Sequence, residues 1–318
     1  MANQTNNSDK LSKGDLISFI AILLMGVIVF FGVNFQSLGD KIQSVVISFV
    51  LVVLMTVSIF LAGMARGQNR NQSTWKKIEF CMIVLYLATL VPSYFYMSKF
   101  FDIQMNRSEI AKQAEDDMGD IKKMFAEYDK LCQSRSYGYE TALKAMSMDA
   151  QGRARIADIL GISVKNVSEN AIRQAGESFL NSLRGNDYAL LKSEVTSLDN
   201  NVASHFKNWN IILVPQYASE LGEAKNKFAT SLKQIYADKK NKIEQNVPEF
   251  NTDEFVHTDN NIADRFSKIT SFSVWGIFVT LILGGLGFCK YLLSNKRTVI
   301  DFKKGDESVI EEDGGFSY

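Results

Sequence analysis

Residues 188–212, YALLKSEVTSLDNNVASHFKNWNII, carry an apolar repeat with heptad spacing. One set of positions recurs every seven residues, and a second set follows each of them three residues later. The first set is Tyr188, Val195, Val202 and Trp209, and the second is Leu191, Leu198, His205 and Ile212. Alternating steps of three and four residues are typical of a helix with one apolar seam. Because such a seam must be buried against other helices, the stretch predicts a helical bundle.

Four apolar runs, each long enough to cross a bilayer as a helix, flank the polar segment that contains this repeat. They are residues 16–35, 42–64, 78–97 and 272–293, and about 20 apolar residues are enough for one span. The first run lacks the small-residue cleavage site of a signal peptide, which predicts a retained span. The fold class that we expect is all-α, with four transmembrane helices and a helical bundle inserted between the third and fourth.

Positive charge in the short connections predicts the orientation of these spans. Arg66, Arg70, Lys76 and Lys77 crowd the second link, whereas the first has only Lys41, and four more basic residues lie between 296 and 304. Lysine and arginine are enriched on the cytoplasmic side of membrane proteins. We therefore predict four segments: 1–98, a cytoplasmic N-terminus and three spans; 99–268, a periplasmic helical domain; 269–293, the fourth span; and 294–318, a cytoplasmic tail.

The charge balance and the cysteines indicate the class of partner and the source. Lys+Arg and Asp+Glu are both 35, so the chain lacks the basic excess of a nucleic-acid-binding protein. Only Cys132 of the three cysteines lies in the polar segment, so no disulfide can form inside it, and secreted animal domains usually have several. We predict a multi-pass protein of a bacterial inner membrane, with both termini in the cytoplasm and no nucleic-acid partner.

Within the polar segment, breaks in the apolar spacing predict where helices end. The spacing continues from the third span to about residue 131, which predicts an outward helical stalk, and residues 134–161 interrupt it. Ser163 is then the expected cap of a helix that reaches residue 183. A turn at 184–187 leads into the seam helix, and the helix after Pro215 is expected to pair with it antiparallel. Thr258 or Asp259 would cap a last helix that enters the fourth span.

Small residues recur every four positions in the fourth span, at Gly276, Thr280 and Gly284. A face of small side chains lets two membrane helices approach closely, so we predict a helix contact there. The contact could lie within the chain or between copies, and the alternative is that glycine is simply common in membrane helices. Ser44 with Ser48, and Ser58 with Ala62, form weaker versions of the pattern in the second span.

Residues with catalytic or metal-binding chemistry are sparse. The only histidines are His205 and His257, without the spacing of a metal-binding motif. Cys132 has no histidine nearby. Glu79 is the only acidic residue in the apolar runs, and its position near the inner end of the third span indicates an interface residue, since no partner charge for ion transport lies in the middle of a span. We predict no catalytic residue, no metal site and no cofactor, and hence a protein that is not an enzyme. Tyr137, Tyr139 and Trp209 could belong to the core of the bundle or contact a partner protein.

The order of these segments resembles that of the TssN family. It consists of three N-terminal spans, 16–35, 42–64 and 78–97, a helical extracytoplasmic domain of about 170 residues, and one closing span, 272–293. Members of that family are inner-membrane components of the type VI secretion apparatus of Bacteroidetes. The resemblance implies a non-catalytic subunit of a trans-envelope complex, and no functional residue is carried over from it.

Two functions agree with this organisation. The first is a scaffold that anchors a multi-protein trans-envelope assembly, with other membrane proteins of that assembly and the lipid bilayer as partners, in an oligomer. The second is a membrane sensor whose periplasmic domain signals to a separate effector. For the scaffold, the seam formed by Tyr188, Leu191, Val195, Leu198, Val202 and Trp209 is either the core of the bundle or an interface with a partner.

Overall fold

The computed structural model describes residues 13–66, 72–244, 247–256, 261–268 and 273–293. All regular elements within these ranges are helical, in agreement with the predicted all-α class. In chain order they are α1 (Lys13–Gln36), α2 (Lys41–Arg66), α3 (Gln72–Met105), α4 (Arg107–Met146), α5 (Ala150–Leu160), α6 (Glu169–Leu183), α7 (Asn186–Lys207), α8 (Val214–Asp238), α9 (Ile262–Ser267), α10 (Val274–Gly287) and α11 (Cys289–Leu293), with a 3-10 turn at Val164–Asn166.

The chain divides into two compact units. One consists of Met1–Asn106 and Phe266–Tyr318 and is called the membrane unit below. The other consists of Arg107–Arg265 and is called the helical unit. The helical unit is thus one continuous insertion in the sequence of the membrane unit.

Four helical stretches of the membrane unit are long and apolar enough to cross a bilayer. They are Gly14–Gln36, Lys41–Arg66, Ser73–Met105 and Val274–Leu293. Each contains most of an apolar run that was predicted to be a span, so the sequence located all four. The prediction that the third span continues as an unbroken stalk is wrong, because Asn106 is not helical and a new helix begins at Arg107. The Asn106 side-chain amide instead donates to the Asp102 carbonyl, 2.9 Å away.

The core of the membrane unit forms along α1. Buried side chains from α1, α2 and α3 meet there: Ile22, Met25, Val29, Val33, Met55, Ile59, Tyr86 and Met97. Two glycines of α1 allow the close packing, since a Cβ on Gly32 would collide with the Tyr96 carbonyl and one on Gly26 with Val52. Many apolar side chains on the other faces, such as Phe49 and Leu281, are exposed. In a bilayer those faces would meet lipid.

The helical unit is organised around α4, which contacts α5, α6, α7 and α8. Its apolar face supplies Met118, Ile121, Phe125 and Tyr128, which are nearly fully buried. Three tyrosines and three phenylalanines from four segments meet there in edge and stacked contacts: Phe125, Tyr128, Tyr188, Phe228, Tyr236 and Phe250. Phe250 comes from the irregular stretch 247–256, which is thereby attached to the core.

The boundaries of α4, α5 and α6 differ from the predicted ones. The predicted interruption at 134–161 is wrong over its first half, because α4 continues through Gly138 to Met146. Tertiary contacts hold that part of the helix, among them the Ser136 hydroxyl, which donates to the Gly176 carbonyl at 2.7 Å. Ser163 begins only a 3-10 turn, and the helix that follows is capped by Ser168, whose side chain accepts from the Ala171 amide.

Helices α7 and α8 form the predicted antiparallel pair. His205 near the end of α7 stacks on Tyr217 near the start of α8, with ring centroids 4.6 Å apart. Farther along the pair, the Lys227 ammonium of α8 lies 2.6 Å from the Glu194 carboxylate of α7. The residues predicted to cap the last helix, Thr258 and Asp259, lie outside the described ranges, as do residues 269–272 before the fourth span.

Candidate functional site

The small-residue face of α10 lies against α3 of the same chain. Gly276, Thr280 and Gly284 are all buried. A Cβ on Gly276 would lie 2.7 Å from the Ser98 Cα atom, which is closer than real Cβ contacts, and one on Gly284 would lie 3.1 Å from Leu90 Cδ2. Of the two locations that the sequence left open, the structure shows a contact within the chain.

Hydrogen bonds reinforce this contact between α3 and α10. The Tyr86 hydroxyl of α3 donates to the Gly284 carbonyl at 2.8 Å, and the Thr280 hydroxyl donates to the Met97 sulfur of α3 at 3.4 Å. The same Thr280 hydroxyl also donates to the Gly276 carbonyl of its own helix at 2.6 Å. A Cβ on Gly287 would collide with the same Tyr86 hydroxyl and lie 3.2 Å from Ile22. Gly287 therefore extends the close contact to α1, although its spacing of three residues from Gly284 was not part of the predicted pattern.

Beside this contact, α10 is open at Gly285. Gly285 is exposed, and nothing lies within 4 Å of the position of a Cβ on it. It borders an apolar groove of about 690 Å³ between α3 and α10, lined among others by Leu87, Val91 and Leu281. The two neighbouring glycines, 284 and 285, thus occupy different environments, one in a helix contact and one on an outer face.

The small residues of α2 also face inwards. Ser44, Ser58 and Ala62 have no exposed surface, and Ser48 is 8% exposed. The three serine hydroxyls donate to carbonyls one turn earlier in the chain, as with Ser48 and the Ser44 carbonyl at 2.7 Å. Such bonds satisfy a polar group inside an apolar helix, so these positions contribute compact, internally satisfied side chains to the bundle.

Most of the predicted seam lies in the core of the helical unit. Tyr188, Leu191, Val195 and Val202 are buried on the face of α7 that contacts α4 and α8. The Tyr188 ring stacks on Tyr128, with centroids 5.0 Å apart. The sequence left open whether the seam is the core of the bundle or an interface with a partner, and these four residues belong to the core.

Two members of the predicted seam depart from it. Leu198 is only half-buried, and Trp209 lies beyond the end of α7. The helix ends at Lys207, and Trp209 has a φ of 46°, so its backbone is in the left-handed region. Phe206 takes the buried position at this end of the helix. The reason is the turn into α8, in which the Asn210 amide bonds to the His205 carbonyl at 2.8 Å.

Truncating Leu191 to alanine is expected to destabilise the protein, because the side chain is 8% exposed. Removing a buried leucine usually lowers the free energy of unfolding by about 2–5 kcal/mol. Its neighbour Leu190 is 63% exposed, so Leu190→Ala should change that free energy by less than about 0.5 kcal/mol. Thermal unfolding of the full-length protein in detergent compares the two variants. Equal Tm values would contradict a core role for the seam.

A buried arginine, Arg135, joins the end of α8 to α4 in the helical unit. Its side chain is 4% exposed and forms an ion pair with Glu244 at 2.5 Å. The guanidinium also donates to the Tyr236 carbonyl at 2.9 Å and to the Lys239 carbonyl at 2.7 Å. It lies over the Tyr236 ring, 4.5 Å from the centroid. These contacts satisfy carbonyls at the end of α8 that have no partner within the helix.

Arg135 was not among the residues predicted to be functional, although the spacing of α4 contains a signal for its burial. The buried positions of α4 include Phe125, Tyr128, Cys132 and Arg135. Their spacing of three, four and three residues continues the heptad pattern of the helix. The glycines and serines of 134–161 were interpreted as an interruption of the helix, whereas Arg135 lies inside α4 and forms a buried ion pair with Glu244.

Cys132 lies in the same core, next to the aromatic cluster. The thiol is fully buried, and this burial raises its pKa from 9.0 to about 11. Burial also raises the pKa of Tyr128 and of Tyr188. A thiol or phenol with a raised pKa in the folded state keeps its proton at pH values at which the unfolded chain has lost it.

The stability of the protein is therefore expected to fall as the pH rises from about 9 to about 11. Below pH 9 the thiol is protonated in both states and has no effect, and above it the unfolded chain alone is ionised. We expect Cys132→Ala to make the Tm of the full-length protein less sensitive to alkaline pH. Melting curves of the two proteins at a series of pH values test this, and parallel losses of Tm would contradict it.

The remaining candidate residues lie on the surface or contact other side chains of the protein. Tyr137 is 72% exposed, whereas Tyr139 contacts Phe179 in the core, with ring centroids 5.5 Å apart. Glu79 accepts a short hydrogen bond from the Tyr291 hydroxyl. Within the described ranges, no three His, Cys, Asp or Glu side chains converge in a geometry that could hold a metal ion.

A second groove, of about 790 Å³, lies between α4 and α7. Its floor is formed by Met118, Val202 and Phe206, which are already buried. Lys122 and Asp199 form an ion pair across it at 2.7 Å. The groove thus combines an apolar floor with a charged pair across it.

No protein-family model, curated protein or solved structure matches this chain.

Proposed function

We propose that this protein is a non-catalytic subunit that anchors and scaffolds a multi-protein assembly in a bacterial inner membrane. The proposal includes a periplasmic location for the helical unit and a role in a trans-envelope complex of the type VI secretion kind. The observation that carries it is the insertion of a separately packed helical unit, Arg107–Arg265, between the third and fourth membrane-spanning helices. A unit that is attached at both ends stays tethered to the membrane unit in sequence, and it can bind other subunits.

The side-chain contacts inside the helical unit support a scaffold function. Its central side chains take part in packing and in ion pairs, such as Arg135 with Glu244 and Lys225 with Asp117, both at 2.5 Å. Partner proteins would contact its exterior, where Tyr137 and Leu190 expose large apolar surfaces. Exposed tyrosines are frequent anchors in protein interfaces.

The proposed topology is supported by contacts at the two ends of the membrane unit. At one end, Asp15 of α1 pairs with Lys290 of α11, and Arg66 of α2 donates to the Tyr291 carbonyl. At the other end, Phe35 of α1 contacts both Phe100 of α3 and Phe266 of α9. The start of α1 and the ends of α2 and α11 thus share one end, which carries the basic residues expected in the cytoplasm.

Labelling with a membrane-impermeant thiol reagent tests this topology. Variants with a single cysteine, Ser197→Cys in α7 or Ser308→Cys in the C-terminal tail, are prepared after the native cysteines have been replaced. In intact cells stripped of their outer membrane, we expect labelling of the Ser197 position, which is exposed on α7, and not of the Ser308 position. The reverse pattern would overturn the assignment of the helical unit to the periplasm.

Purification from detergent extracts with mass spectrometry tests the scaffold function. We expect several other membrane and envelope proteins, in fixed stoichiometry and including subunits of a secretion apparatus. Tyr137→Ala should reduce their recovery, with Leu190→Ala as a second surface variant, while the melting curve stays unchanged. Recovery of a single signalling effector would instead support the sensor, and recovery of no protein in fixed ratio would contradict both functions.

A further inference from the structure

The fourth span is divided into two helices by a side chain from α1. α10 ends at Gly287 and α11 begins at Cys289. The Ser18 hydroxyl lies in this break, where it accepts from the Lys290 amide at 2.7 Å and donates to the Leu286 carbonyl at 3.3 Å. In an uninterrupted α-helix these two backbone groups would bond to each other, since they are four residues apart. Ser18 is therefore inserted into the hydrogen-bond ladder, which is a known cause of a helix kink.

Lys290 fastens α11 to α1 and α2. Its ammonium lies 2.9 Å from the Asp15 carboxylate, and the two side chains are 15% and 24% exposed. The same ammonium lies 3.1 Å from the centroid of the Phe60 ring of α2. The lysine stem passes over Gly63, where a Cβ would lie 3.7 Å from it. One side chain thus makes both an ion pair and a cation–π contact.

Tyr291, the next residue, fastens α11 to α2 and α3. Its carbonyl accepts from the Arg66 guanidinium at 2.5 Å, and this guanidinium also lies 4.6 Å from the centre of the tyrosine ring. Its hydroxyl donates to the Glu79 carboxylate of α3. The five residues of α11 are therefore held by polar contacts to all three of the other spans.

We propose that α11 is a hinged latch with two arrangements. In the docked arrangement, seen here, Ser18 bridges the break and α11 is fastened to α1, α2 and α3. In the released arrangement, the Lys290 amide bonds to the Leu286 carbonyl and α10 and α11 form one straight helix.

Backbone hydrogen bonding allows both arrangements. Neither leaves the Lys290 amide or the Leu286 carbonyl unpaired, and an unpaired backbone group inside a membrane would be costly. The balance then depends on the side-chain contacts of Lys290 and Tyr291, which exist only when α11 is docked. On release, the lysine and arginine can reach the aqueous interface by extending their side chains.

The position of α11 determines the point in space from which the C-terminal segment starts. Residues 294–318 follow α11 directly in the sequence, so release of α11 displaces their point of origin. The two membrane segments that connect to the helical unit are α3 and, through α9, α10. The latch is thus an element through which α3 and α10 can be coupled to the tail, whichever assembly the protein belongs to.

Distance measurements by electron paramagnetic resonance test the latch in full-length protein in lipid nanodiscs. The three native cysteines are replaced, and spin labels are attached at Ser73→Cys and Leu293→Cys, two exposed positions at the start of α3 and the end of α11. Without further changes we expect one main distance. Combining Asp15→Asn with Glu79→Gln should add a second, displaced population, and Ser18→Ala should act in the same direction.

Two controls separate release of the latch from loss of the fold. A label pair at Ser73→Cys and Val46→Cys, which lies on an exposed face of α2, should keep its distance in every variant. The charge exchange Asp15→Lys with Lys290→Asp, with Glu79 unchanged, should give the single main distance between positions 73 and 293 that the protein without further changes shows. If the Leu293 distance stays unchanged in both Ser18→Ala and the Asp15/Glu79 variant, α11 is held by apolar packing and the latch is refuted. It is also refuted if the control distance changes together with the Leu293 distance and the charge exchange does not restore it.

Discussion

Replacing Arg135 with methionine is expected to lower the free energy of unfolding of the helical unit by about 3–5 kcal/mol. The substitution keeps an apolar stem but removes the guanidinium, and this leaves the Glu244 carboxylate and the Tyr236 and Lys239 carbonyls without their donor. Domains of ordinary stability have only about 5–15 kcal/mol in total. A large decrease in Tm of the full-length protein in detergent is therefore expected.

An exposed ion pair provides the matched control for Arg135. Lys227 and Glu194 are 2.6 Å apart, but their side chains are 58% and 38% exposed. Exposed pairs contribute about 0–1 kcal/mol, so Lys227→Met should barely change the Tm. Glu244→Gln, which keeps oxygen and nitrogen atoms near the guanidinium, should have an intermediate effect. Similar Tm values for Arg135→Met and Lys227→Met would show that the buried network does not stabilise the unit.

Replacing Gly276 with leucine is expected to disrupt the packing of the fourth span on the third. A Cβ alone would already lie 2.7 Å from the Ser98 Cα atom, and a backbone atom in a packed helix cannot move aside as a side chain can. Overpacking of a close contact typically destabilises by about 1–3 kcal/mol and sometimes by more. Thermal unfolding in detergent, followed by the fluorescence of Trp75 and Trp275 in the membrane unit, measures the change.

Two further glycines of α10 make the test specific to the contact. Gly284→Leu should have a smaller effect than Gly276→Leu, because the nearest atoms are at the end of the Leu90 side chain, 3.1 Å away. Gly285→Leu should have almost none, since nothing lies within 4 Å of that position. If all three variants melt alike, the contact between α3 and α10 does not determine the stability of the bundle.

The location of the four spans could be read from the sequence because it depends on composition and length alone. Each span is an apolar run of about 20 residues, and a bilayer core of roughly 30 Å requires this length whatever the neighbouring helices are. The heptad repeat of α7 could also be read from neighbouring residues alone, since its period places Tyr188, Leu191 and Val195 on one side of a helix. That side is buried in the structure.

Helix ends were harder to predict because local signals compete with tertiary contacts there. Gly138 was interpreted as part of a break, yet α4 continues past it, since the adjoining residues are held by contacts with α6 and α8. Trp209 fits the heptad by spacing, yet α7 ends two residues earlier to allow the turn into α8. The spacing of apolar residues does not indicate where the chain must turn so that the next helix can pack against the previous one.

The sequence by itself determined that this chain contains four helices long and apolar enough to span a membrane, a polar helical insertion, and one face of small residues on α10. These properties follow from hydrophobicity and period, which neighbouring residues in the chain define. Only the tertiary structure decided that this face contacts α3, that Arg135 is buried with Glu244, and that Ser18 interrupts the fourth span. The two members of each pair are 109 or more residues apart in the chain. The type of one residue does not indicate which distant residue it will contact, because that contact forms only when the helices pack.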